Sequence, residues 1–193
     1  MTMIQSATQF LLTTVFSLLT MMFLLRFIMQ AFKVSFYNPI GQIVIALTDF
    51  AVKPARRFIP SWKKNDVSTL VLAFITQLLL HLAILGLSGF PFAVADVPIW
   101  PNVLGLSLLG VVRAVLDIFF YALILHVILS WVNPHMPIAP ALHSLTQPIL
   151  GPIQRLMPAL GGIDFSPLVA IILLQMINVS VVDILARSLA FGI

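Results

Sequence analysis

The sequence predicts an all-α integral membrane protein with two parallel repeats, each of two transmembrane helices joined by an interfacial amphipathic helical segment. Three observations carry this prediction. Hydrophobic residues make up 61% of the 193 residues and charged residues 8%, whereas a soluble domain has about 25% charged residues. Four apolar runs approach or exceed the length of about 20 residues that a helix needs to cross a bilayer. The third observation is an internal duplication.

The duplication aligns residues 47–77 with residues 145–175 at a constant offset of 98, without a gap, and ten of the 31 pairs are identical. Matching Leu or Val means little in so apolar a chain, but Pro, Arg, Asp, Ser and Gln also match in register, which indicates two similar halves. We therefore divide the chain into a first repeat, residues 1–95, and a second, residues 96–193. The identical pairs are Leu47/Leu145, Thr48/Thr146, Pro54/Pro152, Arg57/Arg155, Pro60/Pro158, Asp66/Asp164, Ser68/Ser166, Leu70/Leu168, Val71/Val169 and Gln77/Gln175.

The first span is predicted over about residues 4–30, because no charge precedes Arg26. A cleaved signal peptide would have a basic N-terminal region and a shorter apolar core, so we interpret this run as a permanent span. The other spans are predicted over residues 67–88, 110–132 and 167–188.

Lysine and arginine residues predict the orientation of these spans. Residues 89–102, between spans two and three, contain none, and Arg113 and Arg187 fall at the opposite ends from most of the others. The positive-inside rule then places both long segments in the cytoplasm and both termini outside. Because each half contains two spans, the repeats should share one orientation, about a pseudo-twofold axis along the membrane normal. Six basic residues lie between spans one and two: Lys33, Lys53, Arg56, Arg57, Lys63 and Lys64.

Two amphipathic segments, residues 39–60 and 137–158, are too short to span the bilayer and are predicted to lie in its interface. Pro54 and Pro152 should break or kink each helix, and Pro60 and Pro158 should end it. The segments either anchor the protein at a fixed depth or form a docking surface for a membrane or cytoplasmic partner. The candidate lipid- or partner-facing residues are Arg56, Arg57 and Arg155, whose guanidinium groups suit lipid phosphate.

An Asp-x-Ser motif precedes the second and fourth spans, at Asp66 to Ser68 and at Asp164 to Ser166. Ser is expected to cap each helix, with Pro167 in the first helical position and each Asp near the positive end of the helix dipole. A cation or phosphate site is the alternative reading of this motif.

Polar residues within the spans are candidates for either packing or function. Two charged pairs have the spacing of four that places both members on one helix face, with exchange of partners between helices as a second arrangement. The glutamines should lie near mid-bilayer and bond helix to helix. An ion-coordinating or proton-relay role is the functional alternative. The candidates are Gln77, Arg113, Asp117, Gln175, Asp183 and Arg187.

Cofactor and enzymatic chemistry find little support in the sequence. The absence of Cys excludes thiolate metal sites and iron–sulfur clusters. A histidine pair on facing helices can hold b-type haem. His81 and His126 are two isolated residues and give only weak evidence for such a site. No nucleophile–base set, carboxylate pair or Gly-rich phosphate loop is present, and no basic run alternates with aromatic residues as in a nucleic-acid surface. We expect no enzyme, no cofactor, no metal site and no nucleic-acid partner.

The stretch from Thr146 to Pro167 (TQPILGPIQRLMPALGGIDFSP) resembles the signature of the YggT family of small, duplicated bacterial membrane proteins, and Asn38-Pro39 also fits. The first half departs from this pattern, with Phe50 in place of Pro148. The resemblance implies an inner-membrane location but no established activity. It associates relatives with osmotic or ion homeostasis and, in photosynthetic lineages, with maturation of a b-type cytochrome.

We therefore expect a non-enzymatic accessory or scaffold protein for membrane complexes or envelope homeostasis. The alternative is a subunit of an ion-permeation or osmotic-stress system, with Asp117, Asp183, Gln77 and Gln175 lining a polar path. The third reading is a haem-handling factor that uses His81 and His126. The expected partners are anionic lipid headgroups and an unidentified membrane or cytoplasmic protein, with a homo-oligomer as a further option.

Overall fold

The computed structural model describes residues 3–59, 66–89, 99–157 and 164–190. Every regular element in these ranges is a helix. Four helices are long and apolar enough to cross a membrane: α1 (Met3–Ala31), α3 (Val67–Leu87), α4 (Ile99–Val132) and a composite fourth, Ser166–Leu189. The composite consists of α6 (Ser166–Ile177), a π-helical turn (Asn178–Val182) and α7 (Asp183–Ala190). Two shorter helices, α2 (Pro39–Ala55) and α5 (Ala139–Leu156), precede α3 and α6.

The predicted all-helical class and four helices able to span a membrane are confirmed, and the predicted third span, residues 110–132, lies within one longer helix. Helix α4 begins at Ile99, 11 residues before the expected Gly110. Pro101 lies in its first turn, where a proline costs little because the N–H it lacks would have no partner within the helix. Most of the connection before α4, including Asp96, lies outside the described residues.

Pro152 was predicted to break or kink its helix, and the structure contradicts the break. Helix α5 continues through Pro148 and Pro152 to Leu156. Both prolines are exposed, while Leu142 and Leu150 on the opposite face are buried, so packing of that face holds the helix together. In the first half, α2 ends at Ala55, the residue after proline. The expected helix stops at Pro60 and Pro158 lie outside the described residues.

Helix α4 is the central helix, because it contacts α1, α3, α5, α6 and α7. Helices α1 and α3 lie against each other along much of their length, and α4 packs against both. Helices α6 and α7 pack against α4, while α2 contacts α1 and α3, and α5 contacts α4 and α6. Helices α2 and α5 follow the same ends of α1 and α4, so we call this end of the bundle the α2–α5 side. The largest fully buried side chains of the described residues include Phe23, Leu24, Met29, Leu123 and Leu150.

Arg26 ties α1 to α2, a contact that the sequence did not reveal. This side chain is only 6% exposed although it lies within the first spanning helix. Its Nη1 donates hydrogen bonds to Thr48 Oγ1 at 2.6 Å and to Asp49 Oδ1 at 2.8 Å. The other oxygen of Asp49 binds Lys53 Nζ at 2.8 Å. A buried guanidinium is tolerated when it is paired in this way, so the contact positions α2.

Hydrogen bonds from Lys53 and then from Arg26 hold the pKa of Asp49 below its ordinary value of 3.8. A carboxyl group whose pKa is lowered in the folded state stabilises the protein above its unfolded pKa. That contribution is lost as the pH falls through the lowered folded value.

Replacing Arg26 with Met should lower the free energy of unfolding by about 1–3 kcal/mol, because it removes the buried hydrogen bonds from the guanidinium to Thr48 and Asp49. Thermal unfolding followed by circular dichroism in detergent micelles measures this loss. The matched control is Lys53→Met, which removes an exposed partner of the same carboxylate and should cost about 0–1 kcal/mol. Equal losses in both variants would contradict a special role for Arg26.

The difference in stability between the wild type and Asp49→Asn should be present at neutral pH and should shrink once the pH falls below 3.8. Thermal unfolding of both proteins over a pH series measures it. A difference that stayed constant down to the lowest tolerated pH would show that the charge of Asp49 does not contribute.

Candidate functional site

Each amphipathic helix is tied to the spanning helix that follows it by a side-chain bond. In the first half, Arg56 Nε donates to Asp66 Oδ2 at 2.7 Å, and the guanidinium forms an ion pair with the same carboxylate. In the second half, Gln154 Nε2 donates to Asp164 Oδ2 at 2.8 Å. The two bonds join positions that differ by the offset of 98, so the same geometry recurs with a charged donor in one half and a neutral donor in the other.

A second bond also recurs at this offset. The buried Thr48 donates to Val44 O at 2.6 Å, and the buried Thr146 donates to Leu142 O at 2.9 Å. Each hydroxyl is therefore satisfied within its own helix on the face that packs against the spans. Thr48 differs from Thr146 in also accepting from Arg26.

The predicted Ser caps are wrong. At the start of each helix the Asp carboxylate, and not the Ser hydroxyl, accepts the hydrogen bond. Ser68 lies inside the first turn of α3, where its hydroxyl donates to Asp66 Oδ1 at 2.6 Å. Ser166 is the first residue of α6, and its backbone N–H donates to Asp164 Oδ1 at 2.9 Å. Each Asp thus links the amphipathic helix to the start of the span.

Burial alone would raise the pKa of Asp164, but hydrogen bonds from Ser166 and Gln154 outweigh it. The pKa therefore lies below 3.8, and the carboxylate is ionised at neutral pH.

The three arginines predicted to face lipid or a partner occupy two kinds of environment. Arg56 is 48% exposed and is held by Asp66. Arg57 and Arg155 are exposed and make no ion pair with any residue in the described ranges. The same side of the protein presents large uncovered side chains: Tyr37, Phe50, Phe58, Trp131 and Leu156.

At the other end of the bundle, two charged residues of α4 bond to the fourth span. Arg113 Nη1 on α4 lies 3.1 Å from Asp183 Oδ1 on α7. Asn178 Nδ2, at the start of the π-helical turn, donates to Asp117 Oδ1 at 3.3 Å. The predicted pairs within one helix, Arg113 with Asp117 and Asp183 with Arg187, are not formed. Arg113 pairs with Asp183, as in the exchanged arrangement, whereas Asp117 is bonded by Asn178 and not by Arg187. Arg187 is exposed.

The repeat-related glutamines have different environments. Gln77 is 5% exposed, and its Nε2 donates to Thr20 Oγ1 of α1 at 3.3 Å. Its Oε1 lies against Gly110 of α4, where an added Cβ would approach within 2.5 Å. Gln175 lies on a half-open face of α6, and its amide has no hydrogen-bond partner in the described part of the chain.

A polar cavity of about 260 Å³ opens between α1, α3, α4 and the fourth span. Gln77 and Asp117 line it, as the permeation reading expected, whereas Gln175 and Asp183 are not among its lining residues. Most of the lining surface is apolar, but hydroxyl, amide, imidazole, guanidinium and carboxylate groups also line this space. Its polar lining consists of Thr13, Ser17, Gln77, His81, Arg113 and Asp117.

The histidines are not arranged for haem. His81 Nδ1 is bonded to Gln77 O of its own helix at 2.8 Å, and the ring lines the polar cavity. The His126 ring instead stacks on His143 of α5, with centroids 5.9 Å apart. The rise of a helix places His81 about 21 Å from the start of α3 and His126 about 9 Å from the end of α4. These ends are both on the α2–α5 side, so the pair is too widely separated in depth for axial ligation of one iron.

Comparison with known proteins identifies relatives over nearly the whole chain. A family model described as CCB3/YggT matches residues 5–87 and 105–185. An uncharacterised Pseudomonas aeruginosa protein, PA0392, is 37% identical over 187 residues, covering 95% of this chain and 92% of its own length. The uncharacterised Escherichia coli K12 protein YggT is 38% identical over 180 residues, covering 93% and 91%. An uncharacterised Haemophilus influenzae protein is 34% identical, covering 93% and 94%. No solved structure matches.

Gly110→Ala should lower the free energy of unfolding by about 1–3 kcal/mol, because the new methyl group would overlap the buried Gln77 amide. In a Gln77→Ala background the overlap disappears, and the same change should be neutral or stabilising by up to about 1 kcal/mol, since Ala favours a helix over Gly. Thermal unfolding of the four proteins in this double-mutant cycle measures the effect. The same cost in both backgrounds would show that Gln77 does not fill the space beside Gly110.

Proposed function

This chain belongs to the CCB3/YggT family, and we propose that it is a non-enzymatic accessory or scaffold protein of the bacterial inner membrane. Its working surface would be the α2–α5 layer, meaning these two helices and their exposed arginines. The observation that carries the proposal is the pair of side-chain bonds, Arg56 to Asp66 and Gln154 to Asp164, that fix each amphipathic helix to the next span. A surface held in this way is preorganised for binding.

We further propose that the two halves are parallel repeats and that α2 and α5 lie in the cytoplasmic interface. Recurrence of the same bonds at offset 98, and the two matches to the family model, support the repeats. The excess of Lys and Arg on this side supports the orientation, with both termini outside. Helix α2 leaves Ile43, Leu47 and Phe50 uncovered, and a short helix with an exposed apolar face is suited to lie along a membrane surface.

The exposed residues of the layer favour protein docking in addition to lipid contact. Aromatic residues and arginine are enriched in the energetically important parts of protein interfaces, and Phe50, Phe58 and Trp131 are uncovered on the same side of the bundle as Arg57 and Arg155. Headgroup phosphate could occupy the same guanidinium groups. The test must therefore separate a protein partner from lipid.

The combined variant Arg57→Glu and Arg155→Glu should lose its co-purifying membrane or cytoplasmic partner in affinity purification from native membranes. Neither residue makes an ion pair with a described residue, so thermal stability should change by less than about 1 kcal/mol. The matched control is Arg187→Glu, an exposed residue at the opposite end of the bundle, which should leave co-purification unchanged.

Reconstitution in nanodiscs with and without phosphatidylglycerol tests whether the arginines bind lipid phosphate or a protein partner. The measurement is the stabilisation of the protein by the anionic lipid. Loss of stabilisation by the anionic lipid, with the partner retained, would show that the arginines anchor the protein without docking it. Unchanged co-purification in the double variant would contradict the proposed working surface.

A second candidate function, ion or solute handling in an osmotic-response system, is favoured by the polar cavity. A membrane protein seldom keeps a carboxylate and a guanidinium beside a cavity without a functional reason, and Asp117 and Arg113 both line this one.

Liposomes containing purified protein should then show ion flux that Asp117→Asn reduces. Asp49→Asn, on α2 outside the cavity, is the matched control. Silent liposomes with correctly folded protein would exclude permeation by this chain alone, while leaving the docking proposal intact.

A further inference from the structure

We propose that one anionic phospholipid binds in a two-part groove between α1, α4 and the start of α5, with an acyl chain in the apolar part and its phosphate beside Lys33. The apolar part is a cavity of about 150 Å³, and the polar part is a neighbouring cavity of about 450 Å³. Val34, Asn38 and Ala141 line both cavities, so the two form one continuous groove. The inference does not depend on what the exposed arginines of the α2–α5 layer bind.

The apolar part of the groove is open to the hydrocarbon of the membrane. Its walls are mainly apolar side chains of α1 and α4, among them Met21, Leu25 and Leu125. Leu125 is 39% exposed and Tyr121, which also lines this part, is 58% exposed, although both lie within a spanning helix. An apolar cavity of about 150 Å³ stays dry and accepts a hydrocarbon group. The apolar part therefore takes a lipid chain and not water.

The depth of the apolar part matches one leaflet of a bilayer. Helix rise places Met21 about 15 Å from the end of α1 at Ala31, and Ile118 about 21 Å from the end of α4 at Val132. Half of a bilayer is about 15 Å for the hydrocarbon core and about 20–22 Å with the headgroup region. The apolar part thus extends from the α2–α5 end to about the midplane, as an acyl chain of that leaflet does.

The polar part of the groove begins at the C-terminal cap of α1. The N–H of Val34 donates to Met29 O at 2.7 Å, and the N–H of Lys33 donates to Gln30 O at 3.2 Å, which are the paired bonds of a Schellman motif. Lys33 occupies the position that this motif usually gives to glycine, with a φ of 56°. A residue with a Cβ adopts this backbone conformation at a cost. The turn alone would favour glycine, which points to a role for the lysine side chain.

The Lys33 ammonium supplies the charge that a phosphate requires. Lys33 is exposed and makes no ion pair with any described residue. Among the described residues that line the polar part, it is the only charged one. Ser35 and Tyr37 line the same space, and their hydroxyl groups can donate to phosphate oxygens. A cation at the headgroup end of an apolar groove matches an anionic phospholipid better than a free anion.

Native mass spectrometry of the purified full chain in detergent tests this site. Titration with phosphatidylglycerol should show one lipid bound before all others, with higher affinity than phosphatidylcholine. Lys33→Gly should weaken that first binding step about 5-fold, the loss expected for one lysine at a membrane surface. The melting temperature in lipid-free detergent should stay the same or rise, because glycine favours the turn.

Lys53→Gln is the matched control, because it removes the same charge from a lysine that is 72% exposed on the same side and lines neither part of the groove. It should leave the first binding step unchanged, and Lys33→Arg should retain that step. Equal weakening in Lys33→Gly and Lys53→Gln would show diffuse attraction of anionic lipid to this side of the protein, which would overturn the proposal.

Ala141→Phe tests the acyl-chain part, because the new ring enters the junction of the two cavities. It should abolish the first binding step for both lipids. Leu125→Trp, at a position that is already partly exposed, fills the apolar part from its open side and should weaken the step even if Ala141→Phe lowers stability. Glycerol phosphate, which has no acyl chain, should not displace the bound lipid. Displacement by glycerol phosphate, or unchanged binding in both filled variants, would overturn the proposal.

Discussion

The central physical constraint on this protein is that hydrocarbon offers no hydrogen bonds to a polar side chain. A chain with 8% charged residues can cross a bilayer four times, and the polar groups that it retains there are stabilised by partners in the protein. The interhelical contacts follow from this constraint. Arg26 joins α1 to α2, Gln77 joins α3 to α1, and Arg113 joins α4 to α7. Apolar packing brings the helices together, and these few bonds select one arrangement of them.

The same constraint distinguishes the two sides of the protein. On the α2–α5 side, the bonds to Asp66 and Asp164 hold two amphipathic helices against the spans and leave Arg57 and Arg155 exposed. At the opposite end, Asp117 and Arg113 are paired across helices and still border a cavity. One side thus presents a firm surface outward, while the other encloses polar groups around a space.

Much of this fold could be predicted from the sequence, because hydropathy and helical spacing are local properties. The four spans, the two amphipathic helices and the correspondence of Asp66 with Asp164 all follow from such patterns. The partners of these residues did not. Arg26 and Asp49 are 23 residues apart, and no periodicity joins them. The spacing of four correctly placed Arg113 and Asp117 on one helix, but the fold paired each with the fourth span. Pro152 was misleading because the strength of packing on the other face of α5 is a tertiary property.

The π-helical turn at Asn178–Val182 has a further consequence for the fourth span. Such a turn accommodates one more residue than an α-helix of equal rise, so the residues before and after it are out of phase by about 100° of rotation. Asn178 reaches Asp117 from one side of the turn, and Asp183 reaches Arg113 from the other. The extra residue therefore acts as a phase adjustment that lets a single helix present two polar contacts to α4. A fourth span shortened by one residue here would be a more regular helix, but it would direct Asp183 away from Arg113.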